Sequence, residues 1–337
     1  MRGFWGLLLL VAAGAGPLPA SIDGTVVNST TGKPQAGVTV TLVKPGQGGM
    51  RTLGSATTDA AGRFVFEKDE PGGGPQLLQA NYKGVNYNKL MTPNIPTSNV
   101  ELDVYEATKS PAVAQIAQHM MLFEPSSGRV AVSETVVVQN KSNTTYSNAA
   151  LGSLQFYLPP AANGQVRVNA QGPQGMPLPQ AAQKAPEADM YKVDFPIKPG
   201  ETEFEVNYLI PAGTPQTFRG RVAGVKGMPA GPLRLIAPPG VTITGKDIQN
   251  VGTEPKTQAT VYTVTAADAF TVDLAGTGSL HSEQAEAPDT SDEPPVLAGK
   301  PRIYTHLGWL IGLAFGVLGI GLAVLYRSSP VRSPYGK

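Results

Sequence analysis

TTDAAGRFVFE, residues 57–67, sets Asp59 and Gly62 three positions apart, at the border between a polar run and an alternating apolar one. Such a pair fits a cation-binding loop, a catalytic turn or a hairpin, and its neighbours must decide. A calcium loop of the helix–loop–helix kind needs oxygen ligands at alternate positions, which Ala60 and Ala61 do not supply. Phe64 and Phe66 fall on one face of a strand, giving the segment after the turn a side for a core.

Working outward, residues 21 to 105 hold seven short runs with two-residue alternation: IDGTVV, GVTVTLV, TLGSATT, RFVFE, QLLQANY, VNYNKL and NVELDVY. Val38, Val40 and Leu42 share a face in the second. The stretches between them (NSTTGKPQAG, KPGQGG, DAAG, EPGGGP) are built from turn-forming residues. A small antiparallel β-sandwich over 21–108 is expected.

The spacing Ile22-x-Gly24-x-Val26, then Thr31-Gly32-x-Pro34-x-x-Gly37-Val38-x-Val40-x-Leu42, then Thr58-Asp59-x-x-Gly62-x-Phe64-x-Phe66 and Ala80-x-Tyr82-x-Gly84 resembles the carboxypeptidase regulatory-like, or prealbumin-like, domain. The resemblance covers about a quarter of the chain. It implies that Asp59 and Gly62 form a structural turn between two strands, Asp capping local amides and Gly taking the left-handed backbone position.

Residues 112 to about 275 again read as strands, among them RVAVSETVVVQN, SLQFYLP, YKVDFPI, TEFEVNYLIP, ATVYTVT and AFTVDLAG. A second sandwich is expected over 112–212. A third β-rich segment follows at 213–279, separate or belonging to the second. The proline-bearing stretch 171–189 reads as a long mobile loop. Segment 280–304, acidic and without period, reads as a tether. The fold class is therefore all-β: two or three antiparallel sandwiches in tandem, followed by one C-terminal transmembrane helix.

Two apolar ends set the address. Arg2, then the core Phe4–Ala15, then small residues up to Ala20, have the three features of a secretory signal over 1–20, with cleavage after Ala20 or Ala15. LGWLIGLAFGVLGIGLAVLY, residues 307–326, carries no charge, and twenty helical residues at ~1.5 Å each cross a hydrocarbon layer of ~30 Å. A single span over 305–326 is expected, with a short basic cytoplasmic tail at 327–337 and the N-terminal region outside the cytoplasm, periplasmic or on the cell exterior. Gly308, Gly312 and Gly316 recur every four residues along one stripe, a surface for helix–helix contact or self-association.

Composition excludes several functions. The chain has no cysteine, which removes disulfides, thiolate metal sites and cysteine nucleophiles. A formal net charge of +1 gives no basic field for nucleic acid. His119, His281 and His306 are the only histidines and none stands at a zinc-ligand spacing from an acid; His119 reads as a half-buried strand residue. GVTITGKD at 240–247 imitates a phosphate loop, yet Asp247 occupies the position that must bind magnesium through a hydroxyl. Glu201, Glu203 and Glu205 alternate along a strand and share one solvated face. Asn28, Asn140 and Asn143 head Asn-x-Ser/Thr triplets.

No catalytic residue, cofactor site or metal site is expected. The reading is a membrane-anchored, non-enzymatic binding or scaffold protein of a bacterial cell envelope, its partner reached through the β-modules or the span. One alternative is a carbohydrate-binding surface protein, which would use Tyr82, Tyr87 and Tyr105 as an exposed aromatic row for a glycan. The other is an accessory subunit of a membrane protein assembly.

Overall fold

In a computed structural model the described residues are 22–280, apart from 47–48, 67–73, 93–94, 174, 214–215 and 267. Every described residue lies in one compact unit, which ends at Ser282. The expected signal, the tether beyond Leu280, the span with Gly308, Gly312 and Gly316, and the tail lie outside the described residues. Among the described residues no helix is long and apolar enough to cross a membrane. The architecture is all-β, with several mainly antiparallel sheets.

The N-terminal body contains β1 (Ile22–Asn28), β2 (Lys33–Pro34), β3 (Thr39–Gly46), β4 (Gly49–Thr57), β5 (Arg63–Phe66), β6 (Gln76–Tyr82), β7 (Val85–Met91) and β8 (Val100–Val104). One sheet is centred on β1, which pairs antiparallel with β2 and β5 and parallel with β8; the other runs β4-β3-β6-β7. The seven runs read from the alternation correspond to β1, β3, β4, β5, β6, β7 and β8. Their inward residues, including Ile22, Val26, Val40, Leu42, Phe64, Leu78 and Leu102, form one apolar cluster. Gly24 lies in that inward row, and no side chain fits there, because a Cβ would stand 2.1 Å from the Val100 carbonyl oxygen. Lys83 and Gly84 both have positive φ and close the β6–β7 hairpin as a two-residue turn.

The second body contains β9 (Ala107–Thr108), β10 (Ala114–Ser126), β11 (Arg129–Asn140), β12 (Thr145–Tyr146), β13 (Leu154–Tyr157), β14 (Val166–Gln171), β15 (Leu178–Gln180), β16 (Gln183–Lys184), β17 (Met190–Val193), β18 (Gly200–Pro211), β19 (Gln216–Arg221), β20 (Leu233–Ala237), β21 (Val241–Thr244), β22 (Ile248–Thr253), β23 (Thr260–Val264) and β24 (Ala269–Gly276). An eight-stranded sheet, β15-β14-β18-β11-β10-β20-β23-β22, lies over two three-stranded sheets, β13-β17-β16 and β19-β24-β21. Aromatic contacts tie the layers: Phe123 on β10 meets Phe218 on β19 with centroids 4.8 Å apart, and Phe204 on β18 meets Phe195 at 6.1 Å. A single apolar cluster runs from Ala114 to Leu274, so residues on both sides of position 212 share one core.

Two local readings change. The stretch 171–189, expected to be a loop, contains β15, which pairs with β14, and β16, which pairs with β17. Pro179 is tolerated because β15 is an edge strand, where a missing N–H removes no ladder bond. His119 is fully buried, where partial burial was expected. The β10–β11 register shifts between Ile116 and Gln118, leaving Ala117 without a partner. Ala114 and Ile116 point inward, Ala117 and Gln118 are exposed, and His119 turns inward again. The bulge reverses the phase of the alternation.

Candidate functional site

The Asp59–Gly62 segment is a closed backbone turn. Asp59 Oδ1 accepts from the N–H groups of Ala61 at 2.9 Å and Arg63 at 2.8 Å, while Gly62 N–H donates to the Asp59 carbonyl. Gly62 has φ +73°, and a Cβ there would lie 2.8 Å from the Val26 carbonyl oxygen and 2.9 Å from Gln35 N. Thr58, beside it, receives Val38 N–H and donates to the Gln35 carbonyl. The turn thus pins the start of β5 to β1 and to the β2–β3 connection, and one of the two Asp59 carboxylate oxygens already accepts two amide bonds.

The densest polar cluster outside the turns surrounds Glu106, in the connection between the two bodies. Its carboxylate accepts from Tyr82 OH at 2.6 Å, from Asn28 Nδ2 at 2.9 Å and from Lys83 Nζ. Its own N–H donates to Thr30 Oγ1, and its carbonyl accepts from Thr145 N–H of the second body. Hydrogen bonds from Lys83, then Tyr82, then Asn28 hold the Glu106 carboxyl down at about 2. The same contact raises Lys83, and burial, followed by the Glu106 bond, raises Tyr82.

This junction continues across the two bodies. β9 pairs parallel with β12. Thr30 Oγ1 donates to the Asn143 carbonyl, and Tyr87 OH shares a hydrogen bond with Thr145 Oγ1 at 2.9 Å. Lys198 Nζ sits 5.2 Å from the centroid of the Tyr87 ring, and burial lowers its pKa to about 8. Tyr87 itself is 3% exposed, so Tyr82, Tyr87 and Tyr105 form no exposed aromatic row.

The three Asn-x-Ser/Thr triplets meet at this junction, and two are structural. Asn28 and Asn140 are buried. Asn28 Oδ1 accepts Thr30 N–H and Asn140 Oδ1 accepts Ser142 N–H, while the Asn140 amide donates to the carbonyls of Thr144 and Ile197. These are Asx turns, in which the asparagine amide closes a loop over its own backbone. Asn143 is exposed.

The remaining sequence-level candidates fall elsewhere. VTIT of the phosphate-loop imitation is β21. Glu201, Glu203 and Glu205 lie on β18, with Glu201 and Glu205 exposed; partial burial, then Glu205 and Glu201, raises the Glu203 carboxyl. His119 Nε2 is 2.6 Å from Glu134 Oε1 inside the second core, a pairing the sequence did not signal. His281 and His306 lie outside the described residues. Among the described residues no three His, Cys, Asp or Glu side chains converge as a metal site.

Comparison with known proteins assigns one segment of the chain. Residues 21–104 match the carboxypeptidase regulatory-like domain. No curated protein sequence matches the chain. Two solved structures of an M1 zinc metallopeptidase variant from Deinococcus radiodurans, one bound to a Tyr-Ser-Ala substrate, are each 12% identical to it, with TM-scores of 0.27 and 0.26. In each case the match covers 48% of this chain and 42% of theirs, so the chain spans less than half their length.

Proposed function

We propose, from the premise that residues 21–104 are a carboxypeptidase regulatory-like domain, that this protein is a non-enzymatic, membrane-anchored scaffold or binding protein whose second β body holds that domain away from the cell membrane. In this reading two β-sandwich bodies stand in tandem outside the cytoplasm, followed by one span.

The supporting observation is that the two ends of β10 have different neighbours. Near Ala114 the second body meets the regulatory-like domain, through Thr145 and Asn143 just past the end of β11. At the other end, Gly278 N–H donates to the Pro125 carbonyl, and Ser279 Oγ and Leu280 N–H both donate to Glu124. The last described residues, 278–280, therefore lie beside residues 124–126. The 13 residues of β10 separate this point from the junction by about 40 Å at ~3.3 Å per residue. The Glu106 cluster serves the same reading: its carboxylate contacts hold the connection between the bodies.

Because the chain contains no cysteine, single labels report position cleanly. A fluorophore on Ser126→Cys should be quenched strongly by a membrane-surface acceptor, and one on Ser98→Cys weakly. Equal quenching would remove the stalk. Protease added to spheroplasts should digest residues 21–305 and leave a protected C-terminal fragment, and full protection would remove the extracytoplasmic placement.

A further inference from the structure

The bulge that turns His119 inward also opens a groove on the opposite, outer face of the eight-stranded sheet. Its volume is about 290 Å³, and it is lined by Gln118, Met120, Pro232 and Arg234 together with Ala117 and His119. At this point β20 joins β10 as a parallel neighbour, starting with His119 opposite Leu233. Ala117 has no partner on β11, and Pro232 has no N–H to offer. The ladder is interrupted on both sides of the groove.

Arg234 stands over this interruption. It faces Met120 on one side and Thr263 on the other, is exposed, and makes no ion pair or side-chain hydrogen bond among the described residues. The carboxylates that flank it across β11 on this face stand apart from Arg234: Glu203 lies two strands from Gln118 through Val137, about 10 Å at ~4.8 Å per strand. Glu205 lies three strands away through Thr135 and Met120, about 14 Å at ~4.8 Å per strand. Glu124, four residues along β10, is engaged by Ser279 and Leu280. A guanidinium without a counter-ion, beside the Gln118 amide and the half-buried Met120, offers a fork for an oxyanion with an apolar wall next to it.

We propose that this groove binds a small organic monocarboxylate, its oxygens on Arg234 and Gln118 and its aliphatic portion against Met120 and Pro232. A single cation with neutral donors matches one negative charge better than the two of a phosphate, and the volume leaves ample room for an aliphatic portion beside the carboxylate. The site does not depend on the stalk reading, since it concerns one face of the second body alone.

The test is calorimetric titration of the full-length protein in detergent with butyrate, butanol and inorganic phosphate. Saturable butyrate binding that butanol lacks, weakened about tenfold by Arg234→Met and less by Arg234→Lys, supports the proposal. Because Arg234 is exposed, its variants should melt with the wild type, so a loss of binding cannot be charged to unfolding. No saturable butyrate signal up to tens of millimolar, an unchanged affinity in Arg234→Met, or phosphate binding more tightly than butyrate would each overturn it.

Discussion

His119 and Glu134 form a buried pair, Nε2 to Oε1 at 2.6 Å, with side chains 0% and 2% exposed. They sit on neighbouring strands but not opposite one another: His119 faces Val136 and Glu134 faces Met121. Around them are apolar residues, and neither His119 Nδ1 nor the nearby Tyr208 OH has a hydrogen-bond partner among the described residues. Desolvation, then the Glu134 charge, pushes Tyr208 well above the ordinary phenol value.

Breaking this pair from one side should be worse than removing it. Glu134→Leu strands the imidazole among apolar groups and should cost about 3 kcal/mol. The double variant His119→Leu/Glu134→Leu should recover most of that loss, because no polar group is left without a partner. Urea denaturation of the wild type, both single variants and the double variant measures the coupling; simple additivity would show the pair to be energetically idle.

Gly62→Val should destabilise the regulatory-like domain by about 3 kcal/mol, from the left-handed backbone and from the contact with the Val26 carbonyl. Gly32→Val is the matched control, since Gly32 has φ +70° and a Cβ added there would meet nothing within 4 Å. It should lose clearly less. Hydrogen exchange in β1 and β5 reads the difference, and equal losses would mean that crowding at Gly62 contributes nothing.

Glu106 sets an acid limb. Its folded carboxyl lies at about 2, below the ordinary 4.5, so its stabilisation is complete above about 4.5 and disappears as pH falls toward 2. Glu106→Gln should flatten the fall in melting temperature across that window while leaving other carboxylates to act. Parallel curves for the two proteins would show that the junction contacts of Glu106 do not stabilise the fold.

Lys198 sets the opposite limb. Burial holds its folded pKa at about 8, below the ordinary 10.5, so between those values the unfolded chain binds more protons and stability rises with pH. Lys198→Met should raise stability at pH 7 by up to about 3 kcal/mol, less the attraction of the charge for the Tyr87 ring. The gain should shrink as pH approaches 10. A variant less stable than the wild type at pH 7 would mean that the ring contact outweighs the burial.

The N-terminal domain was legible because the alternation is clean in most of its strands: in β1, β5, β6 and β8 every second residue points inward, one shift falling in β3 between Leu42 and Val43, and the turn glycines mark the borders. The second body was legible as strands, but not in its pairing. The bulge at Ala117 leaves no mark in composition, so nothing in the sequence placed His119 beside Glu134 or opened the groove at Arg234. The Glu106 junction was hidden for a different reason. Its partners Asn28, Tyr82, Lys83 and Thr145 are distant in sequence, and three of the junction asparagines carried the signature of a modification triplet, although Asn28 and Asn140 close Asx turns. Tyr87 read as a surface aromatic because its hydroxyl partner, Thr145, belongs to the other body.

The placement of the two attachments along β10 also determines how the molecule carries force. Tension applied between the regulatory-like domain and Leu280 enters the second body through β10 and leaves it through β24, which is held by six residue pairs to β19 and four to β21. The junction, by contrast, has two rungs between β9 and β12 and a few side-chain contacts, which can break in succession. Under load the regulatory-like domain should swing free on its connection before the second body yields.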